Sequence, residues 1–341
     1  MRNRTLSRRP TSRWLLALGA ALLLLAGCQA AETGDVPLPP VSEDFDVQGH
    51  RGARGLRPEN TLPGFEVALD LGVTTLELDL HFSADGEIVI WHDPVVGPDK
   101  CGLRDGAPLD VPDPDDPRTH ADRAIANLTA DQLSWFQCDR NPNPNDFPEQ
   151  VQEATELAGD DYRIVTLAGL FEFVERYRES RNKSETQRAG AAAVRFNLET
   201  KRRPDDPGTI GDGFNGVEAG PFELTLLDLV SRFDLEDRII VQSFDHRSLW
   251  AVHSASPNLT LAALTPDRFT DLTALAASGS SIWSPRYSSL QSEDVEEAHQ
   301  LGLRVIPWTV NDSAGFADMI SMGVDGIITD RPDLLNALLD R

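Results

Sequence analysis

The chain has 341 residues, of which 55 are acidic and 31 are basic, so its formal net charge is −24 at pH 7. Such a surface repels nucleic acid and anionic lipid head groups, which excludes nucleic acid as a partner. About 300 residues, from 45 to 341, contain no Pro/Gly-rich break that divides two cores. The length and the unbroken pattern indicate one large domain with an insertion.

Residues 1–27 predict a lipoprotein signal peptide. Five arginines precede an apolar stretch too short to span a bilayer, and Leu25-Ala26-Gly27-Cys28 resembles a bacterial lipobox. Lipidation of Cys28 would anchor the exported protein at the cell surface or the periplasmic face, without a spanning helix. A simple secretory signal with a chance cysteine is the alternative. Residues 28–44, rich in Pro, Glu and Asp, predict a flexible tether.

Short apolar segments alternate with amphipathic ones after the tether. This alternation predicts strands joined by crossover helices, and therefore an α/β fold with parallel pairing, closed into a (β/α)8 TIM barrel. The predicted strands are 46–49, 74–80, 193–198, 238–242, 259–264, 280–283, 304–308 and 326–329, and the helices include 62–71, 170–178, 292–301, 314–322 and 332–339.

A ninth apolar segment, 87–91, follows the second strand after the short link Ser83-Ala84-Asp85-Gly86. So short a link cannot hold a parallel crossover, so we expect a hairpin that distorts the barrel after its second strand. A turn centred near Ala84-Asp85 would bring His92 opposite Glu77.

Residues 95–163, called the insertion below, are rich in Asp, Pro and Asn and show little periodicity. In a barrel enzyme such a segment lies over the mouth, where it either shapes substrate access or only decorates the rim. Cys101 and Cys138 lie within it. An even pair of cysteines in an exported protein favours a disulfide between them.

Acidic side chains alternate with leucines along the second strand. Side chains two residues apart share one face of a strand, so Glu77 and Asp79 point the same way. Charges are almost never buried without a partner, so this face requires a cation or cationic side chains. Two ordinary salt bridges are the alternative.

Glu199 and Lys201 share one face of the next parallel strand in the same manner. Glu199 would complete a three-carboxylate site whose oxygens suit Mg²⁺ or Ca²⁺ better than Zn²⁺, and Lys201 would reach a phosphate oxygen. An ion pair between Glu199 and Lys201 is the alternative.

Two histidines end strands near these carboxylates. An unperturbed imidazole gains and loses a proton near neutrality, so His50 and His92 suggest an acid and a base working on opposite faces of one phosphorus. Arg51 could hold a phosphate in a bidentate manner. Glu59, in the turn before the first helix, could act on the substrate or could orient Arg51 or His50.

Further motifs accompany these residues along the chain. In order, the set is His50-Arg51-Gly52, Pro58-Glu59-Asn60-Thr61, Glu77-x-Asp79, Asp85-Gly86, His92-Asp93, Glu199-x-Lys201, Gln242-Ser243-Phe244, Trp308-Thr309-Val310-Asn311 and Asp325-Gly326-Ile327-Ile328-Thr329-Asp330. From about residue 47 to 335 these motifs resemble the glycerophosphodiester phosphodiesterase family. One departure is Val165-Thr166-Leu167-Ala168-Gly169, where the family often has Pro-Thr-Leu-Glu-Glu.

The resemblance implies a barrel of the phospholipase C-like phosphodiesterase type. It further implies hydrolysis of small glycerophosphodiesters to sn-glycerol 3-phosphate and an alcohol, by attack of water or of the adjacent glycerol hydroxyl. The implied roles are Mg²⁺ or Ca²⁺ on Glu77, Asp79 and Glu199, acid–base catalysis by His50 and His92, phosphate binding by Arg51 and Lys201, and a glycerol pocket walled by Phe244 and Trp308.

Two other functions stay open at this point. A related barrel could act on intact or lyso-phospholipids, which would require an apolar, membrane-seeking rim. An inactive barrel could serve as a ligand-binding surface lipoprotein, although every residue of the acid–base and metal set is present.

Overall fold

The structure is a computed structural model that describes residues 38–269 and 271–340. The predicted signal peptide, Cys28 and residues 28–37 of the predicted tether lie outside the described residues. Leu38 and Val41, at the end of that tether, pack against the hydrophobic core. In the described parts of the chain, no helix combines the length and the apolarity that crossing a membrane requires.

Parallel strands form a barrel, as the sequence predicts. The strands are β1 (Asp46–Gly49), β2 (Thr75–Phe82), β3 (Ile88–Ile90), β4 (Gly102–Leu103), β5 (Phe136–Gln137), β6 (Arg195–Thr200), β7 (Ile239–Ser243), β8 (Thr260–Thr265), β9 (Ile282–Pro285), β10 (Arg304–Val305) and β11 (Gly326–Thr329). The helices are α1 (Leu62–Asp70), α2 (Ala130–Leu133), α3 (Leu167–Glu179), α4 (Glu185–Ala193), α5 (Pro221–Arg232), α6 (His246–Ala255), α7 (Leu272–Ala277), α8 (Ser292–Gln300), α9 (Ser313–Met322) and α10 (Pro332–Leu338).

Neighbouring strands run in the order β10-β9-β8-β7-β6-β2-β1-β11, and each neighbouring pair is parallel. Backbone hydrogen bonds close the ring beyond β10. The amide of Asp325 donates to Val305 at 2.9 Å, and the amide of Ile328 donates to Pro307 at 3.0 Å. The predicted (β/α)8 barrel is therefore confirmed.

Two element boundaries differ from the prediction for local reasons. Strand β6 starts and ends two residues later than predicted, because the alanine-rich segment before it belongs to α4, whose first turn is capped by Ser184. This shift places Glu199 inside the strand. Helix α3 begins at Leu167 rather than at residue 170, because Thr166 caps it by accepting a hydrogen bond from the amide of Gly169 at 3.1 Å.

The predicted hairpin is present, but its register is shifted by one residue. Strand β3 pairs with β2 in antiparallel fashion, with Leu80 opposite Ile90. Three residues form the turn, because the amide of Ser83 donates to the carbonyl of Glu87, and Gly86 adopts a φ of 82°. The pairing therefore directs His92 towards Leu78, and the expected pairing with Glu77 is wrong.

The two faces of the barrel strands differ in character. Leucines 76, 78 and 80 belong to the main core between sheet and helices. A separate apolar cluster lies on the opposite, inner side of the barrel at β7 to β11. It consists of one residue from each of four strands and one that directly follows β10, namely Ile240, Ala262, Ile282, Ile328 and Ile306. The inner face of β1, β2 and β6 is polar instead, with buried Gln48, Glu77 and Asn197.

The insertion forms a small apolar cluster together with Val89 and Trp91 of the hairpin, despite its lack of periodicity. Strands β4 and β5 pair in antiparallel fashion, and Cys101 and Cys138 are joined by a disulfide next to this pair. Buried Val96, Ile125 and Phe136 belong to its apolar cluster. The side-chain amide of Gln150 donates to the carbonyl of Arg54, so the insertion packs against the loop after β1.

Candidate active site

Three carboxylates meet at the carboxyl-terminal rim of the barrel. In the pairing of β2 with β6, Asp79 lies directly opposite Glu199, and Glu77 lies two residues earlier on the same face. One oxygen from each carboxylate lies within 4.8 Å of the other two, and all three residues are buried. The parallel register thus brings together the three acids that the sequence singles out.

Glu77 is held by two neutral donors. The backbone amide of Arg51 donates to it at 2.9 Å, and the side-chain amide of Gln242 donates at 2.7 Å. Arg51 adopts a left-handed φ of 53°, a conformation that a non-glycine residue holds only where its surroundings fix it. The bond to Glu77 and a bond from the amide of Asn60 to the carbonyl of Arg51 fix it here.

Cationic side chains lie on the other two carboxylates. Nζ of Lys201 lies 2.7 Å from Glu199 and 3.3 Å from Asp79. Nε of Arg51 lies 3.1 Å from Asp79, which also accepts a hydrogen bond of 2.8 Å from Asn60. These contacts correspond to the ion-pair alternative, and they coexist with the carboxylate cluster.

The electrostatics of the cluster fit a divalent cation. Burial raises the pKa of Glu77 well above its usual value, and the charges of Asp79 and Glu199 raise it further. Burial also raises the pKa of Glu199, whereas Lys201 and Arg51 overcome burial and lower the pKa of Asp79. A cation would relieve the repulsion that raises these values, and an all-oxygen donor set suits Mg²⁺ or Ca²⁺.

His50 is oriented by Asp330. Its Nδ1 lies 2.6 Å from Asp330, and its Nε2 lies 3.9 Å from Glu77. Burial lowers the pKa of His50 to about 4, although Asp330 opposes this effect. Asp330 also accepts two hydrogen bonds from Arg54. This role of Asp330 was not predicted from the sequence, but a signal existed: Asp330 follows β11, which a closed barrel must pair with the strand that leads to His50.

His92 is oriented by its neighbour in sequence. Its Nδ1 lies 2.7 Å from Asp93, which also binds Lys100 of the insertion. Each of the two imidazoles therefore has a carboxylate at Nδ1, which leaves Nε2 of each ring for proton transfer. Lys100 was not predicted as a site residue, because the irregular segment around it has no periodicity from which the direction of its side chain could be inferred.

Glu59 contacts other site residues rather than the cavity. Nη1 of Arg51 lies 3.1 and 3.0 Å from its two carboxylate oxygens, and Lys100 donates to it at 2.8 Å. Burial works against ionisation, but Arg51 and Lys100 lower the pKa of Glu59 to about 2. Of the roles considered for Glu59, these contacts favour the orientation of Arg51.

These groups surround a cavity of about 290 Å³, called the first cavity below. One wall is aromatic: the rings of Phe244 and Trp308 pack edge to face with their centres 5.4 Å apart. Asp79 is fully buried and contacts two of the lining residues, Lys201 and Arg51. The predicted site residues that line the cavity are His50, Arg51, Glu77, His92, Glu199, Lys201, Phe244 and Trp308.

Solved structures share this fold. The crystal structure of a putative glycerophosphoryl diester phosphodiesterase from Silicibacter pomeroyi DSS-3 superposes with a TM-score of 0.69 at 28% identity, over 89% of this chain and 94% of that one. A phosphodiesterase from Oleispira antarctica, solved in complex with the product sn-glycerol-3-phosphate, gives a TM-score of 0.62 at 18% identity, over 89% and 98% of the two chains. At that identity the second likeness concerns the fold alone.

Sequence comparison leads to the same group of proteins. The chain is 26% identical over 292 residues to a glycerophosphodiester phosphodiesterase of Caldanaerobacter subterraneus subsp. tengcongensis, which covers 85% of this chain and 95% of the relative. A Bacillus subtilis protein of the same name is 26% identical over 95% of both chains. A profile of the glycerophosphoryl diester phosphodiesterase family matches residues 50–204 and 214–334, and the chain belongs to this family.

Proposed function

We propose that the protein is a metal-dependent hydrolase that cleaves small glycerophosphodiesters into sn-glycerol 3-phosphate and an alcohol. The observation that supports this most directly is the carboxylate cluster of Glu77, Asp79 and Glu199, which lies beside two imidazoles that each have a carboxylate at Nδ1. The product that the Oleispira antarctica phosphodiesterase binds is consistent with this substrate class.

The protein side chains have separate tasks in this reaction. Arg51 and Lys201 bind the phosphate oxygens, and the edge-to-face pair of Phe244 and Trp308 packs against the glycerol carbons. One imidazole takes a proton from the nucleophile, which is water or the adjacent glycerol hydroxyl. The other imidazole donates a proton to the oxygen of the departing alcohol as its bond to phosphorus breaks.

Glu77, Asp79 and Glu199 would hold the divalent cation, which we expect to be Mg²⁺ or Ca²⁺. Such an ion, when bound, polarises a phosphoryl oxygen and helps to orient the substrate. Asp330 and Asp93 keep the two imidazole rings aligned, and Glu59 keeps Arg51 aligned. Because Asp330, Asp93 and Glu59 already contact the side chains that they align, those side chains require little reorganisation when the substrate enters.

We also propose that the protein is exported and is held at a membrane by a lipid on Cys28. The lipobox-like sequence supports this proposal. Mass spectrometry of the protein purified from membranes would test it, because lipidation would appear as an acylated amino-terminal peptide beginning at Cys28. Retention on membranes should be lost in Cys28→Ser.

The distribution of apolar surface favours small substrates over intact phospholipids. Exposed large apolar side chains in the described residues include Leu109 and Val217 in separate loops, Leu224 on α5 and Trp250 on α6. Phe244 is the one of this group that lines the first cavity. Scattered single apolar residues are normal for a protein surface and do not form a membrane-seeking rim.

The test is release of sn-glycerol 3-phosphate from several glycerophosphodiesters, after treatment with a chelator and after addition of Mg²⁺ or Ca²⁺. We expect activity to be lost with the chelator and restored by one of the cations. His92→Ala should lower kcat by about 10²–10⁴-fold. His120→Ala, at an exposed histidine of the insertion, is the matched control and should retain full activity.

Two outcomes would contradict the proposal. Full activity after treatment with the chelator would show that the reaction does not require the cation. Binding of glycerophosphodiesters without turnover, in calorimetry with the cation present, would favour a ligand-binding protein instead.

A further inference from the structure

A second cavity, of about 400 Å³, adjoins the first one. Both cavities are lined by His92, Glu199, Lys201 and Phe244. A phosphodiester carries two ester groups, which extend from the phosphorus in different directions. If the glycerol group occupies the first cavity and the phosphate lies at the wall that the cavities share, the second ester group extends into the second cavity.

The far wall of the second cavity is held rigidly. It includes Arg202, which is buried and follows Lys201 after β6. The guanidinium of Arg202 donates to Asp212 at 2.9 and 2.6 Å and to Glu223, at the start of α5, at 2.7 Å. These bonds fix the segment between β6 and α5, so the cavity is a preformed feature of the fold and does not depend on a ligand.

Two polar side chains of this cavity have unused hydrogen-bonding capacity. Thr209 is buried, and its hydroxyl has no hydrogen-bond partner among the described residues. Nε2 of His81 lies 3.2 Å from the carbonyl of His92, which can only accept, so a neutral ring keeps Nδ1 as an acceptor. Nδ1 of His81 also has no partner in the described part of the chain. Both groups suit a ligand that carries hydroxyls.

The charged and aromatic side chains that line the second cavity disfavour a quaternary ammonium ligand. Such a cation is usually bound over several aromatic faces, and among the described residues that line this cavity Phe244 provides the one benzene ring. The two aspartates of the lining are already paired, Asp93 with His92 and Lys100, and Asp205 with Arg203 at 3.4 Å.

We propose that the second cavity binds the leaving alcohol of the diester and selects neutral polyhydroxylated alcohols, such as glycerol or inositol, over choline. This inference rests on the proposed function, because it assigns the cavity to the alcohol group of the same diester substrate. Thr209 and His81 exchange hydrogen bonds with the hydroxyls of the alcohol, and Phe244 covers its carbon skeleton.

The experiment compares kcat/KM for glycerophosphoinositol and for glycerophosphocholine in wild type and in Thr209→Val, which replaces the hydroxyl by a methyl group of similar size. We expect wild type to prefer glycerophosphoinositol at least tenfold. In the variant this preference should be about fivefold lower, which corresponds to the loss of one hydrogen bond. Thr273→Val, at an exposed position on α7, is the matched control and should leave the preference unchanged.

A third substrate separates this inference from the proposed function. The methyl ester of sn-glycerol 3-phosphate has a leaving group too small to fill the second cavity, so its hydrolysis by wild type tests the chemistry alone. Failure of all three substrates would overturn the proposed function and this inference together. Hydrolysis of the methyl ester, combined with no preference for inositol or with an unchanged preference in Thr209→Val, would overturn this inference and leave the proposed function standing.

Discussion

The barrel rim and the insertion both contribute to the site, but they fix their side chains in different ways. At the rim, strand register holds Glu77, Asp79 and Glu199, so backbone pairing determines where the carboxylates meet. In the insertion, Lys100 reaches Glu59 and Asp93 from an irregular segment, and the disulfide of Cys101 follows it immediately. The regular region provides the groups that we propose to react and to bind the metal, and the irregular region contacts the side chains around them.

The largest effect should come from the rim. Glu77→Gln keeps the side-chain size and removes a charge from the carboxylate cluster, so we expect kcat to fall about 10³-fold, equivalent to several kcal/mol of lost electrostatic stabilisation. Calorimetric titration with Mg²⁺ or Ca²⁺ should show weakened binding in the same variant. Glu172→Gln, at an exposed position on α3, is the matched control. Unchanged cation affinity in Glu77→Gln would show that Glu77 is not a ligand of the cation.

The carboxylate cluster at the rim was predictable because side chains alternate regularly along a strand and parallel strands pair in a regular register. Alternation along β2 directs Glu77 and Asp79 to one face, and parallel pairing brings Glu199 beside them, whatever the exact strand ends are. The position of His92 was less predictable, since a one-residue difference in the turn at Gly86 changes its cross-strand partner.

The insertion was predictable only in composition and in its cysteine pair. The contact of Lys100 with Glu59 joins residues 41 positions apart through a loop without repeating geometry. No local pattern in the sequence encodes such a contact. The link between Asp330 and His50 spans 280 positions, yet barrel closure makes it regular, so it could have been inferred from topology.

The disulfide tests how far the insertion depends on its covalent link. Because the two cysteines are 37 positions apart, replacing both in Cys101→Ser/Cys138→Ser should lower the free energy of unfolding by about 3–4 kcal/mol. Urea denaturation followed by circular dichroism measures this loss. A separate early transition would indicate that the insertion unfolds before the barrel. Unchanged stability together with unchanged activity would show that the noncovalent contacts of the insertion are sufficient to hold it.

Lys100 tests whether the insertion acts on the chemistry. Lys100→Met removes the charge that contacts Glu59 and Asp93, so Arg51 and His92 lose part of their alignment. We expect kcat/KM to fall about tenfold, at the lower end of what loss of such supporting partners costs. Lys100→Arg should recover part of the loss, because a cation is restored. A purely structural role predicts instead equal kcat and KM per folded molecule in Lys100→Met, with only the unfolding midpoint lowered.

The smallest effect concerns the far end of the insertion, which Glu66 of α1 attaches to the barrel. The carboxylate of Glu66 accepts hydrogen bonds from the amides of Leu157 and Ala158 and from Lys183. Burial opposes ionisation, but these donors lower the pKa of Glu66 below its ordinary value of 4.5. Glu66→Gln should therefore cost about 1 kcal/mol of unfolding free energy at pH 7.

The pH dependence of that cost distinguishes charge from packing. A carboxyl group whose pKa is lowered on folding stabilises the protein fully above its unfolded pKa, and this contribution disappears as the pH falls through the folded pKa. The difference between wild type and Glu66→Gln should therefore be constant from pH 7 down to about pH 5 and shrink below about 4.5, near the usual glutamate pKa. Urea midpoints across this range measure it. A difference independent of pH would mean that Glu66 joins the insertion to the barrel by shape rather than by its charge.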